Sequence, residues 1–159
     1  MGNIFSGSEI VELGIQIEKN GRDFYGALVK QSKNQDAIDI FKFLAAQEEK
    51  HIATFQGLLN STNKYEPPEN YQDEYVAYMR SLAAECIFTK EKTGEEIAKH
   101  IKNEKEAVIK GIEFEKDSIV FYDGIKKVVP ADEQKIIDEL ILEEQRHLMQ
   151  LVELKRDLK

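Results

Sequence analysis

Four times in this chain, in register, a charged residue stands where an apolar helical seam calls for a hydrophobic one. Val11, Gly14, Glu18, Gly21, Tyr25 and Leu28 follow one another at alternating steps of three and four, the spacing that keeps side chains on one face of an α-helix. The series recurs after an offset of 97 residues as Val108, Gly111, Glu115, Ser118, Tyr122 and Ile125. A second series, Phe41, Leu44, Glu48, His51, Phe55 and Leu58, recurs after 96 residues as Ile137, Leu140, Glu144, His147, Leu151 and Leu154. Two helices copied in the same order describe a duplicated helical hairpin. A carboxylate buried in such a seam costs several kcal/mol unless it is paired or bound to a cation, so the four interruptions need a common explanation.

Few breakers interrupt the helices. The chain has three prolines, two of them adjacent at Pro67-Pro68, so long helices are expected over most of its length. The pattern predicts a first helix from about Ser8, as its cap, to Lys30, and a polar turn over Gln31-Ser32-Lys33-Asn34. A second helix is expected from Asp36 to Leu59, then a loop from Asn60 to Asn70 and a short crossover helix from Asp73 to Phe88. A helical stretch from Thr93, bent near Ile101 to Asn103, leads into a third bundle helix over Glu104 to Val128. Pro130 opens the fourth, Ala131 to Asp157, with Asp132 and Glu133 in its first turn. Short connections make each pair an antiparallel hairpin, and the long middle segment carries the chain back along the bundle. The fold class is therefore all-α, a four-helix bundle forming a single domain over residues 1–159.

Each seam glutamate lies near the middle of its helix, so antiparallel packing brings all four to a similar depth. Glu and His at i and i+3 stand roughly 60° apart around a helix, close enough for both to reach one metal ion. A lone Glu-x-x-His arises often by chance on a solvated face. Here two such pairs stand in register with two further seam glutamates, inside a duplicated hairpin. Glu18, Glu48, His51, Glu115, Glu144 and His147 are thus the candidate ligands of two divalent ions, and their oxygen-rich, nitrogen-containing donor set suits iron or manganese. Di-iron and di-manganese carboxylate bundles use the same arrangement.

Glu12, Glu49, Glu113 and Glu143 fall off the seams and are expected to face solvent. Tyr25 and Tyr122 are either core aromatics or phenols hydrogen-bonded to ligand carboxylates, where they would orient a glutamate or supply an electron or proton. His100 has no matching motif and reads as a surface residue, and Cys86 as a small buried side chain. The 22 basic and 30 acidic residues give a net charge of −8, which disfavours nucleic acid and anionic membrane as partners. One cysteine allows no internal disulfide, and neither a signal-peptide pattern nor a membrane-length apolar run of about eighteen residues is present. A cytoplasmic location is the expectation, as is a homodimer in which Phe5, Tyr71, Tyr75 and Tyr78 help to cover the interface.

At these residues the sequence resembles the ferritin-like superfamily, and within it the rubrerythrin-like di-iron proteins. Glu18, Glu48-x-x-His51, Glu115 and Glu144-x-x-His147 match that family's six ligands in order and spacing, and Tyr25 and Tyr122 match its tyrosines beside the metals. The resemblance implies two iron ions per chain, with manganese or zinc as substitutes, and an oxidoreductase acting on O₂ or hydrogen peroxide as a peroxidase or ferroxidase in oxidative-stress protection. It also leaves open iron storage or delivery without turnover. Two departures bear on the choice. The four-cysteine rubredoxin-like domain is not in this sequence, so electrons would come from a separate donor such as a rubredoxin. Ile112 stands where rubrerythrins place a further glutamate, which leaves a ligand set closer to bacterioferritin. Against a haem-binding storage cage, Glu49 replaces the haem-binding methionine, and the sequence ends soon after the fourth bundle helix.

Overall fold

The computed structural model describes residues 7–62, 73–89 and 91–158. Among these the chain forms α1 (Gly7–Gln31), α2 (Gln35–Thr62), α3 (Asp73–Glu85), α4 (Gly94–Lys99), α5 (Glu104–Ile125) and α6 (Gln134–Asp157), and no strand. The expected loop segment with Pro67-Pro68, and Phe5 and Tyr71, lie outside the described residues.

Side-chain caps set several helix starts. Asn34 Oδ1 accepts from Ala37 N at 3.0 Å, Thr93 Oγ1 from Glu96 N at 3.3 Å, and Asn103 Oδ1 from Glu106 N at 2.9 Å, each satisfying an amide that has no partner inside its helix. Ser8 lies inside α1 rather than capping it, since the helix already includes Gly7. The bend before α5 falls where the sequence places it. Other boundaries move. The second helix continues to Thr62, whose buried hydroxyl donates to Leu58 O at 2.7 Å, and the crossover helix stops at Glu85 rather than Phe88. α5 ends at Ile125 and tightens into a 3₁₀ turn over Lys126–Val128, and Val129 is extended, as the residue before a proline prefers. Residues 131–133 then form a turn in which Glu133 N donates to Pro130 O at 2.9 Å, so α6 starts three residues later than expected and Asp132 and Glu133 precede it.

The helices pack as two antiparallel hairpins, α1 with α2 and α5 with α6, joined by the crossover. Lys33 N donates to Glu104 Oε1 at 2.8 Å, so α5 begins at the end of the bundle where α1 turns into α2. α1 and α5 therefore run antiparallel, as do α2 and α6. Both α1 and α5 bury a second apolar stripe beside the seam: Ile10, Ile17 and Phe24 on α1, and Phe114 and Phe121 on α5. These second stripes receive the crossover. Phe88 lies 5.2 Å from Phe24 and 5.0 Å from Phe114 between ring centroids, and Tyr75, buried within its own chain, donates its hydroxyl to Gly124 O at 2.6 Å. Tyr75 is thus unavailable as an interface residue, whereas Tyr78 is exposed.

α4 lies directly on α1. Gly94 N donates to Asn20 Oδ1 at 3.3 Å, and Gln31 Nε2 to Ala98 O at 3.0 Å. A Cβ on Gly94 would run into the backbone carbonyl of Asn20, whereas one on Gly57 would meet nothing. Gly94→Ala is accordingly expected to cost about 3 kcal/mol, seen as a thermal midpoint lower by roughly 6–12 °C. Gly57→Ala, in the middle of an exposed helix face, should raise stability by up to about 1 kcal/mol. Equal effects in a thermal melt would contradict this packing.

Candidate metal centre

Each bundle helix delivers its seam residue to the same interior point. Glu18 comes from α1, Glu48 and His51 from α2, Glu115 from α5, and Glu144 and His147 from α6, and all six are buried. They form two overlapping quartets, Glu18–Glu48–His51–Glu144 and Glu48–Glu115–Glu144–His147, in each of which one ligand atom per residue lies within 4.8 Å of the others. Glu48 and Glu144 belong to both. The two carboxylates from the Glu-x-x-His helices thus stand between two sites, and each site is completed by one imidazole and one further glutamate.

Within the first quartet His51 Nδ1 lies 2.8 Å from Glu144 Oε1 and 3.4 Å from both Glu18 Oε2 and Glu48 Oε2. Within the second, His147 Nδ1 lies 3.0 Å from Glu144 Oε2, 3.7 Å from Glu115 Oε2 and 3.8 Å from Glu48 Oε1. The two imidazoles stack, with centroids 5.6 Å apart and planes 19° from parallel. Both present Nδ1 to the carboxylates. His51 is held that way from behind: its Nε2 is 2.7 Å from Glu143 Oε2, and a partner on one ring nitrogen fixes which nitrogen faces the site. Glu143 was expected to face solvent. It is instead half-buried between α6 and α2, with one oxygen committed to His51. Its only signal in the sequence is adjacency to Glu144, which turns it from the seam toward the neighbouring helix.

The other off-seam glutamates do lie toward the surface: Glu49 pairs with Arg22 at 2.9 Å, Glu113 pairs with Lys110 at 2.9 Å, and Glu12 is exposed. His100 is a surface residue that meets Glu96 at 3.3 Å. Cys86 is only partly buried, donates to Leu82 O, and has its thiol pushed up to about 12 by burial and the nearby Asp117. Ile112 is buried and offers no donor.

The two tyrosines differ. Tyr25 OH donates to Glu115 Oε1 at 2.5 Å, reaching across from α1 to α5 over Gly111, where a Cβ would lie 3.3 Å from the phenol oxygen. Burial and the surrounding carboxylates hold this phenol well above its ordinary pKa, so it stays a donor. Tyr122 fits the other expectation, a core aromatic: its hydroxyl is buried and makes no hydrogen bond. Its ring packs 4.9 Å from Phe55, and the nearest atoms to Gly14, the counterpart of Gly111, belong to Ile125 and Phe55.

Whether this cluster suits metal ions is tested by its unsatisfied atoms. Both oxygens of Glu18 and of Glu48, Glu115 Oε2, Glu144 Oε1 and His51 Nδ1 are buried without a hydrogen-bond partner. Buried polar atoms are normally paired, and these seven belong to the two quartets. Four ionised carboxylates with two neutral imidazoles carry four negative charges, the charge that two divalent cations balance. Without metal, protons take the cations' place. Burial and Glu144 push Glu18 up to about 7, and burial followed by Glu144 raises Glu48 and Glu115 well above the usual carboxylate range. Burial works against charge on both histidines, but contacts with Glu115 and Glu144 carry His147 up to about 10, and contacts with Glu144, Glu18 and Glu48 raise His51. Glu144, between the two imidazoles, is held below the usual range despite its burial.

The Rubrerythrin family profile matches residues 9–155. Among solved structures, the chain is similar to a Thermotoga maritima protein described, as a provisional assignment, as a ferritin-like diiron-carboxylate protein. The two share 28% identity over 100% of each chain, with a TM-score of 0.72. No curated protein matches the sequence. No described helix is long and apolar enough to cross a membrane.

The protonation pattern has a sign that can be measured. Glu18 titrates near 7 in the folded chain and near 4.3 when unfolded, and His147 near 10 rather than 6.5, so the metal-free fold holds more protons than the unfolded chain across neutral pH. That stability is fully present at low pH and is lost as pH rises through the folded values. The thermal midpoint of chelator-treated protein should fall by at least about 5 °C between pH 5 and pH 8. Protein reloaded with divalent metal should gain stability over the same range, because metal displaces the protons. A metal-free midpoint that rises with pH would contradict the account.

Proposed function

The chain belongs to the rubrerythrin family, and from that premise we propose that it is a di-iron carboxylate oxidoreductase that reduces hydrogen peroxide or O₂. Two quartets sharing Glu48 and Glu144 are the observation that carries the reading, because a pair of ions with common ligands can exchange two electrons with one oxidant. Glu18 and His51 would hold one iron and Glu115 and His147 the other, with Glu48 and Glu144 between them. When bound, the iron pair supplies two electrons, which with two protons turn one hydrogen peroxide into two waters.

The chain's own groups orient the donors and keep the site dry. Tyr25 fixes Glu115 through Oε1 and leaves Oε2 toward His147, while Glu143 fixes His51. Phe41 stacks on Tyr25 at 6.1 Å and Phe114 meets its edge at 5.9 Å, so the phenol has one orientation and a low-dielectric surround. Its hydroxyl, bonded to a ligand carboxylate, would also offer a side-chain proton beside the cluster. Electrons return from a separate donor, such as a rubredoxin. Ile112, in place of a further glutamate, keeps the donor set at six.

The test is single-turnover oxidation. Protein loaded anaerobically with two equivalents of Fe(II) and mixed with peroxide should develop the near-ultraviolet absorption of an oxidised iron pair within seconds, and should turn over repeatedly when a reductant is present. Glu48→Ala/His51→Ala should retain less than one iron. Tyr25→Phe should keep both irons but oxidise roughly tenfold more slowly, whereas Tyr122→Phe, which removes an unpaired hydroxyl, should change the rate little. Stable binding of two irons without oxidation would instead favour a protein that holds or delivers iron, and more than two irons retained per chain would favour storage.

A further inference from the structure

The two quartets have Glu48 and Glu144 in common, so any difference between them comes from the groups they do not share. On one side these are Glu18 and His51, and on the other Glu115 and His147. Because the hairpin is repeated, the two pairs match in residue type and in register. Their surroundings do not match.

His51 presents Nδ1 to the carboxylates, and its Nε2 lies 2.7 Å from Glu143 Oε2. With a metal ion on Nδ1, the proton of the neutral ring sits on Nε2 and is donated to the Glu143 carboxylate. Such a bond raises the basicity of the imidazole and strengthens it as a ligand. His147 has a different neighbour. The ring of Phe43 stands edge-on to it, with centroids 6.0 Å apart and planes 89° from parallel. The position matching Glu143 in the repeat is Gln47, a neutral amide, so that position brings no carboxylate to the second imidazole.

The glutamates differ in the same direction. Both oxygens of Glu18 are buried without a hydrogen-bond partner, which leaves the whole charge of this carboxylate to a cation. Glu115 Oε1 instead accepts from Tyr25 OH at 2.5 Å. A donor that stabilises the carboxylate charge weakens its hold on a proton or a metal ion alike. The Glu18–His51 side thus combines an unshared glutamate with a carboxylate behind its imidazole, while the Glu115–His147 side combines an aromatic neighbour with a glutamate already bonded.

We propose, on the two-metal reading of the cluster, that its sites are ranked: the first divalent ion binds between Glu18 and His51, with Glu143 as the positioning residue that sets this order, and the Glu115–His147 site fills second. A chain holding one ion keeps it on the Glu18–His51 side. Delivery of two electrons to one oxidant requires both ions, so the weaker site sets the metal concentration at which the pair is complete. The order is written in residues that the repeat does not copy or does not place alike, Glu143 against Gln47 and Tyr25 against Tyr122.

Cobalt(II) reads the order of binding apart from any reaction with peroxide. Chelator-treated full-length protein titrated with Co(II) under argon should show two steps in its visible absorption. Crystals of protein given one equivalent should show their stronger anomalous peak at the cobalt edge between Glu18 and His51. Glu143→Gln keeps an acceptor of the same shape but removes the charge, and since this side chain is 42% exposed the exchange opens no core. It should weaken the first step roughly 10- to 100-fold and bring the two peaks toward equal height. Glu139→Gln, at an exposed glutamate one turn earlier on α6, should leave both steps and both peaks as in the wild type. Equal peaks in the wild type, a stronger peak on the Glu115–His147 side, or a first step unmoved by Glu143→Gln would each overturn the ranking while the two-metal reading stands. Cobalt bound outside the cluster would sink both.

Discussion

Glu18, Glu48, Glu115 and Glu144 share one closed interior with His51 and His147, and in a low-dielectric medium such a group persists only if its charges nearly cancel. Two neutral solutions are open to the same six side chains. Protons can occupy the glutamates and imidazoles, or two divalent cations can balance four carboxylates. The distances favour neither a tight hydrogen-bonded network nor isolated groups: several oxygens lie 3.4–3.8 Å from an imidazole nitrogen and are left without a hydrogen bond. Atoms placed near one another but unsatisfied are a donor set. The fold accepts their desolvation cost and recovers it when cations bind.

The duplication explains why the set has the form it has, and its imperfections explain why the two halves are not equivalent. One hairpin supplies a glutamate and a Glu-x-x-His pair, and the copy supplies the same, so two sites with two shared carboxylates arise from a single motif. Local packing then departs from symmetry. Tyr25 reaches Glu115 past Gly111, whereas Tyr122 packs on Phe55 and leaves its hydroxyl unpaired. Glu143 holds His51, whereas the matching position on α2 is Gln47, a residue without charge. The crossover lies over α1 and α5, which each carry a second buried stripe.

The helices and the converging residues were legible in the sequence because both depend on periodicity: a seam of period three and four fixes which residues share a face, and an in-register charge on that face has few solvent-free explanations. What escaped depends on tertiary packing. Glu143 looks like any solvated glutamate until α2 places His51 against it. Tyr25 and Tyr122 are identical in pattern and differ only in what surrounds their hydroxyls. The buried place of Tyr75 depends on how the crossover docks, which no local pattern encodes. α6 starts later than its pattern implies because Pro130 permits a helix to begin but does not require it, and the chain uses the next three residues as a turn. The second stripes of α1 and α5, Ile10, Ile17 and Phe24 with Phe114 and Phe121, fall outside the seam pattern, and a stripe beside a seam has meaning only once something covers it.

The proposed function requires two metal ions held between six side chains, with Glu48 and Glu144 common to both quartets. Anomalous diffraction at the iron edge, from crystals of protein purified without chelator and loaded with Fe(II), locates those ions directly. Two peaks per chain are predicted, one between Glu18 and His51, the other between Glu115 and His147, and each within bonding distance of Glu48 and Glu144. A single peak, peaks on the protein surface, or none within the cluster would contradict it.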